Sequence, residues 1–202
     1  MNTHYLAPLF TPGSIALFGA SDREDSVGGI VFKNLMTSGF KGRIYGINPG
    51  RDVVQGQRAY KTLEEIDEPV DLAVVATPAP SIPAIVEACG ERGIRMMLIM
   101  SAGFRETGPA GRKLEDQVTQ MADRYGIRLM GPNCLGIIRP DIGLNATFGN
   151  NNAQPGSLAL VSQSGAICTA ILDWAAVNEI GFSAVVSTGI AADLDFGDYL
   201  DY

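Results

Sequence analysis

Gly19, Ala20, Ser21 and Asp22 follow a short apolar run, and Val27, Gly28 and Gly29 open the helix-like stretch behind them. Glycine in such a turn lets backbone approach a ligand closely. The first N–H groups of a helix have no partner inside it and point at an anion. The chemistry on offer is phosphate or pyrophosphate binding. The spacing is not GxGxxG, and a turn built only for tight strand–helix packing is the plain alternative.

The next strand-like run ends in Asn48, Pro49, Gly50 and Arg51. A dinucleotide fold that takes NAD carries Asp or Glu there, accepting from the ribose hydroxyls. Here an arginine is offered instead, a group suited to phosphate. That disfavours NAD and fits NADP or coenzyme A, both of which carry a phosphorylated adenosine ribose. A surface turn with a solvated arginine is the alternative.

Three further loops follow strand-like runs. Thr77, Pro78, Ala79 and Pro80 form a rigid, flat, apolar shelf suited to an adenine ring. Ser101, Ala102 and Gly103 can bring a hydroxyl and backbone groups toward a thin ligand arm. Gly131, Pro132, Asn133 and Cys134 place an amide that could hold a carbonyl, beside a thiol that reads as packing. Finally, Val161, Ser162, Gln163, Ser164, Gly165 and Ala166 read as strand, sharp turn and helix start. The free N–H groups of Ser164, Gly165 and Ala166 would make an anion site. This turn superficially resembles a nucleophile elbow, but GxSxG is absent. The sole histidine, His4, reads as a solvated residue of the tail, which excludes a Ser-His-acid triad within this chain.

The elements that must position these loops alternate along the chain. Strands are predicted at 14–18, 43–47, 71–76, 95–101 and 127–130. Helices are predicted at 27–38, 81–91 (capped by Ser81, with Pro83 in its first turn) and 109–125, the last ended by Gly126. A capping box at Thr62, Leu63, Glu64 and Glu65 predicts another short helix. The continuous apolar runs are those of buried parallel strands. Right-handed β-α-β crossovers then build a doubly wound Rossmann-type sheet that binds ligands beyond its carboxyl ends. Residues 131–156 differ in texture from what precedes them, and 150–156 form a polar, turn-rich linker. A second pattern follows: strand 157–161, helix 166–177, strand 182–187. The expected division is therefore a Rossmann-like domain at 1–149, the linker at 150–156, and a partial flavodoxin-type unit at 157–202. One βαβ unit cannot bury both faces of its strands, so it either docks on the first domain or continues past Tyr202, and continuation is the expectation.

Of the 202 residues, 46% are hydrophobic and 18% charged, an ordinary globular composition. A net charge of −7 argues against a nucleic-acid partner. Cys89, Cys134 and Cys168 are far apart and odd in number, which argues against disulfides or a metal site and for a reducing cytoplasm. No apolar run is long enough to span a bilayer, and the N-terminus is not a signal peptide.

Stretches that contain most of these motifs recur together and in this order in one family: Leu9 to Ser21, Gly39 to Gly42 with Asn48 and Pro49, Thr77 to Pro80, Gly131 to Gly136, and Val161 to Gly165. They resemble the N-terminal region of ADP-forming acetyl-CoA and acyl-CoA synthetases and, more distantly, the alpha subunit of succinyl-CoA synthetase. The same scaffold occurs in bacterial protein-lysine acetyltransferases fused to a GNAT domain. Gly143 to Phe148 and Ile171 to Trp174 are similar to that branch.

The resemblance implies a coenzyme A or acyl-CoA site. Gly19, Ala20, Ser21, Val27 and Gly28 would meet the pyrophosphate, and Asn48, Pro49 and Arg51 the phosphorylated ribose. Thr77, Pro78 and Ala79 would line the adenine side. Ser101, Ala102, Gly103, Asn133 and Cys134 would follow the pantetheine arm. Ser164, Gly165 and Ala166 would hold phosphate where the family handles an acyl phosphate and then a phosphohistidine. It also implies parts beyond residue 202: the phosphorylated histidine, an ATP-grasp module or subunit carrying ATP or ADP with magnesium, and an oligomeric whole. The full protein would convert acyl-CoA, ADP and phosphate to acid, ATP and CoA. Two other functions remain open at this level, an acetyl-CoA-sensing region of an acetyltransferase and, through Arg51, an NADP-dependent oxidoreductase domain. One departure stands out: relatives usually carry Asn where this chain has Ile190.

Overall fold

Strands that are apolar along their whole length must be covered on both faces, and the chain contains several. The computed structural model describes residues 4–202. In chain order the elements are α1 (Ala7–Phe10), β1 (Ser14–Phe18), α2 (Val27–Thr37), β2 (Arg43–Ile47), β3 (Val53–Val54), β4 (Gln57–Tyr60), β5 (Leu72–Val75), α3 (Ile82–Glu91), β6 (Met96–Ile99), α4 (Pro109–Tyr125) and β7 (Arg128–Met130). They are followed by β8 (Gly136–Arg139), β9 (Leu144–Thr147), β10 (Pro155–Ser162), α5 (Gly165–Val177), β11 (Phe182–Ser187) and α6 (Phe196–Asp201).

The first sheet has the order β3-β4-β2-β1-β5-β6-β7 and is parallel apart from the short β3. Every residue of β1, β5 and β6 is buried. One face packs on α3 and α4 through Ile82, Val86, Phe104 and Val118. The other packs on α2 through Val31, Phe32 and Leu35. The chain reverses its winding between β1 and β5, so a crevice opens at the carboxyl ends of these two strands.

The second sheet has the order β10-β11-β8-β9. β10 and β11 are parallel across α5, the expected βαβ unit, whereas β8 and β9 join antiparallel. This hairpin lies where no element was predicted, between 131 and 149. Its strands have four residues each and β9 is buried throughout, so neither shows the alternation that betrays a half-exposed strand.

The βαβ unit docks on the first sheet. Leu194 and Tyr199 share a core with Leu6, Leu9 and Met130. Residues 190–194 run beside β7: Ala192 N–H donates to Gly131 O at 2.9 Å and Leu194 N–H to Leu129 O at 3.2 Å. Asp193 clamps Arg128 at 3.1 and 3.0 Å. Each fully buried large apolar side chain is worth roughly 1.5–3 kcal/mol, against about 0–1 for an exposed ion pair, so apolar burial dominates this seam.

Three local expectations change. The box at Thr62 does not form, because the Glu65 carboxylate accepts from Lys61 N–H rather than from the cap, and only a 3-10 turn (Leu63–Glu65) results. Ser81 does not cap α3; its hydroxyl is held within the preceding turn, donating to Pro78 O and accepting from the Thr77 hydroxyl. His4 is not free in solvent. It stacks on Tyr5, and its Nε2 lies 3.3 Å from the Asp201 carboxylate.

Candidate functional site

The turn after β1 is drawn tight by backbone contact. Gly19 has φ of 93°, and its N–H donates to Ile47 O at 3.0 Å. A Cβ on Gly28 would overlap the Gly19 carbonyl oxygen, so the first turn of α2 can rest on this loop only as glycine. Ser26 caps α2, its Oγ accepting from Gly29 N–H at 3.1 Å. The N–H groups of Val27 and Gly28 are thereby left open at the crevice. From outside, Gln55 braces the loop: its Nε2 donates to Ser21 O and Gly29 O, each at 2.9 Å.

Neighbouring strand ends lock to one another. Asn48 Nδ2 donates to Ala20 O at 2.8 Å, joining the ends of β1 and β2. Ser101 Oγ donates to Thr77 O at 2.5 Å, joining those of β5 and β6. Asn133 N–H donates to Ser101 O at 3.0 Å and continues the rim past β7. Between these loops lies a cleft of about 580 Å³.

Gly19, Ala20, Ser21, Val27 and Gly28 line it on the helix side, and Asn48 closes one end. Thr77, Pro78, Ser101, Ala102 and Asn133 line the opposite side. The structure thus gathers eleven of the expected positions around one space. Pro49, Arg51, Ala79, Gly103 and Cys134 are not in its wall. Arg51 sits in the exposed turn held by Asn48, its own N–H donating to Asn48 O at 3.3 Å, on the same rim but outside the cleft. Ala79 is buried beneath the Pro78 shelf. Gly103 N–H is already committed to the Glu106 carboxylate. The Cys134 thiol points inward to Ile99 O at 3.3 Å, and burial pushes it up to about 12, which makes it inert packing.

The wall also holds residues the sequence did not single out: Arg23, Ser26, Ala76, Met100 and Phe148. Ala76 and Met100 directly follow β5 and β6, so their position at strand ends was a usable signal. Phe148 arrives from the unforeseen hairpin. Arg23 belongs to the recognised loop and is the cleft wall's one charged side chain among the described residues.

A second pocket of about 290 Å³ is walled by Asn133, Gln163, Ser164, Gly189 and Ile190. Asn133 belongs to both spaces and has φ of 54°, a left-handed conformation that asparagine tolerates better than most residues. The helix start here is not as open as expected. Ser164 N–H donates to Ser162 Oγ at 3.1 Å, while Ser164 Oγ caps Ile167 N–H at 3.3 Å. Gly165 and Ala166 keep free N–H groups; Ser164 does not. A larger recess, about 750 Å³, lies behind the β1–α2 loop, walled largely by polar residues such as Lys33, Asn145 and Asn152; of the residues singled out in the first turn it takes Asp22 and Gly29 only. No cluster of metal-binding side chains occurs among the described residues. No helix among them is long and apolar enough to cross a membrane.

Residues 13–140 match the model of the CoA binding domain. The chain belongs to that family. Residues 155–202 match the succinyl-CoA ligase like flavodoxin domain. Among curated proteins, it is 42% identical over 201 residues to the alpha subunit of acetate–CoA ligase (ADP-forming) I of Pyrococcus furiosus, covering 98% of this chain and 44% of that protein. It is 42% identical to 4-hydroxybutyrate–CoA ligase (ADP-forming) of Nitrosopumilus maritimus, covering 96% of this chain and 28% of that one. Among solved structures, the dinucleotide forming acetyl-coenzyme A synthetase 1 of Candidatus Korarchaeum cryptofilum, in complex with phosphate and ADP, superposes with a TM-score of 0.93 at 37% identity, over 100% of this chain and 42% of that one. The chain therefore spans less than half the length of these relatives, of which the two curated ones are ADP-forming CoA ligases or a subunit of one.

Proposed function

We propose that this chain is the coenzyme A-binding part of an ADP-forming acyl-CoA synthetase. The observation that carries the reading is that two spaces meet at Asn133: a long cleft at the carboxyl rim of the first sheet and a small pocket at the start of α5. A ligand with a bulky anionic end and a thin arm ending in a thiol fits that shape. The diphosphate rests on the open N–H groups of Val27 and Gly28. Pro78 and Thr77 back the adenine, and Asn48 and Arg51 lie toward the ribose phosphate. The pantetheine arm passes Ser101, Ala102, Met100 and Phe148 and delivers its thiol at Asn133.

The pocket beyond is where an acyl carbon and a phosphate exchange partners. Gly165 and Ala166 N–H groups stabilise the anion there, and the Ser162–Ser164 bonds hold the turn in place before the ligand arrives. The nucleotide and its magnesium, the phosphorylated histidine and the partner subunit belong to parts of the protein beyond this chain. In the whole protein the reaction interconverts acyl-CoA, ADP and phosphate with free acid, ATP and CoA.

Calorimetric titration of the chain with CoA, dephospho-CoA and NADPH tests the reading. CoA is expected to bind most tightly. Arg51→Glu is expected to weaken CoA about tenfold or more while changing dephospho-CoA little, a difference of ~1.4 kcal/mol. Tight NADPH binding with no response to CoA overturns the assignment.

A further inference from the structure

Arg23 has a fixed backbone and a loose side chain. Its N–H donates to Ser21 Oγ at 3.1 Å, and its carbonyl accepts from Ser26 N–H at 3.2 Å and Ser26 Oγ at 2.8 Å. The residue is thus pinned to the cap of α2, the same turn whose Val27 and Gly28 N–H groups stay open. The guanidinium's one partner among the described residues is Asp25, with Nε 3.6 Å from its carboxylate; the two side chains are 76% and 83% exposed. A pair so long and so wet contributes little, so exchanging it for another anion costs little.

Resting on the coenzyme A reading, we propose that Arg23 is the residue that grips the diphosphate, leaving Asp25 as the ligand enters. Two considerations select the diphosphate over the ribose phosphate. Arg23 is anchored at the helix start, where a diphosphate gains most from the N–H groups. The ribose-phosphate end lies past Asn48, at the end of a different strand, where Arg51 stands. A planar guanidinium also suits the paired oxygens of a diphosphate, which a lysine cannot bridge in the same way. Asp25 then acts as a placeholder: it keeps the cation at the cleft mouth and competes with the incoming ligand.

The test is titration of Arg23→Gln, Arg23→Lys and Asp25→Asn chains with CoA and with dephospho-CoA, after far-ultraviolet circular dichroism has shown the same fold. Arg23→Gln is expected to weaken both ligands by the same factor, about tenfold or more. Arg23→Lys should recover part of that loss, and Asp25→Asn should tighten both ligands about two- to threefold. Unchanged affinity in Arg23→Gln overturns the proposal. So does a loss confined to CoA, which would assign Arg23 to the ribose phosphate. Should the unaltered chain bind neither coenzyme, the coenzyme A reading itself falls, a result separate from any effect of the variants.

Discussion

Asp193 holds Arg128 through both carboxylate oxygens, at 3.1 and 3.0 Å, and also accepts Leu129 N–H at 2.7 Å. One side chain thereby closes the exposed edge of β7 and ties it to the segment that leads into α6. Replacing it leaves the Leu129 N–H without its acceptor and the Arg128 guanidinium with only the longer contact to Asp198, at 3.4 Å. Asp193→Ala is expected to cost about 1–3 kcal/mol, read as a lower urea midpoint. An unchanged midpoint would show that the apolar seam alone holds the two units.

Gly28→Ala places a methyl group on the Gly19 carbonyl. The helix must withdraw from the loop, at a cost of about 1–3 kcal/mol for an overpacked contact. The open N–H groups retreat with it. Both the melting temperature and CoA affinity are expected to fall. A variant that melts lower but binds as before would show that the helix start does not touch the ligand.

Acid should loosen the protein at two places. Burial works against the Glu106 carboxylate, but the N–H groups of Gly103 and Phe104 outweigh it and hold the group below its usual 4.5. Burial likewise opposes the Asp198 carboxylate, but the Tyr5 hydroxyl, the Asp195 N–H and Arg128 hold it below 3.8. Since the folded values are the lower ones, the stabilisation is fully present above the unfolded values and drains away as the pH falls through the folded ones. Glu106→Gln and Asp198→Asn are each expected to flatten the acid limb of a stability-against-pH curve. Limbs parallel to that of the unaltered protein would remove these carboxylates as the cause.

Thiol chemistry should be silent in the folded state. Burial pushes Cys89 and Cys134 up to about 12 and raises Cys168 as well. With so little thiolate at pH 8, an aromatic disulfide reagent is expected to label none of the three until denaturant is added. Rapid labelling of native protein at Cys134 would mean that the rim below Asn133 opens readily.

The sheet was legible because its strands are uninterrupted apolar runs punctuated by glycine and proline, and because helix ends such as Gly126, left-handed at φ of 64°, carry local signals. The cleft was legible at strand ends for the same reason: where a parallel strand stops, the ligand side begins. What escaped has no local signature. Phe148 enters through a hairpin of two four-residue strands, buried too evenly to alternate. Arg51 looked decisive by residue type, yet its turn carries it outside the cleft wall, while Arg23, hidden among three acidic neighbours, lines it. Ser164 looked open because sequence does not show that Ser162 reaches its N–H.

The hairpin has a last consequence, for how this region can be divided. β8 and β9 precede the segment 150–156 but complete the sheet that follows it, and Asn34 on α2 grips the hairpin's far end by donating to Thr147 O and Gly149 O, both at 2.8 Å. A cut within 150–156 would therefore sever a shared wall rather than separate two rooms, leaving β10 and β11 with half their sheet. Recombination that swaps partners around this ligand site should have to carry residues up to Ser187 as one inherited block.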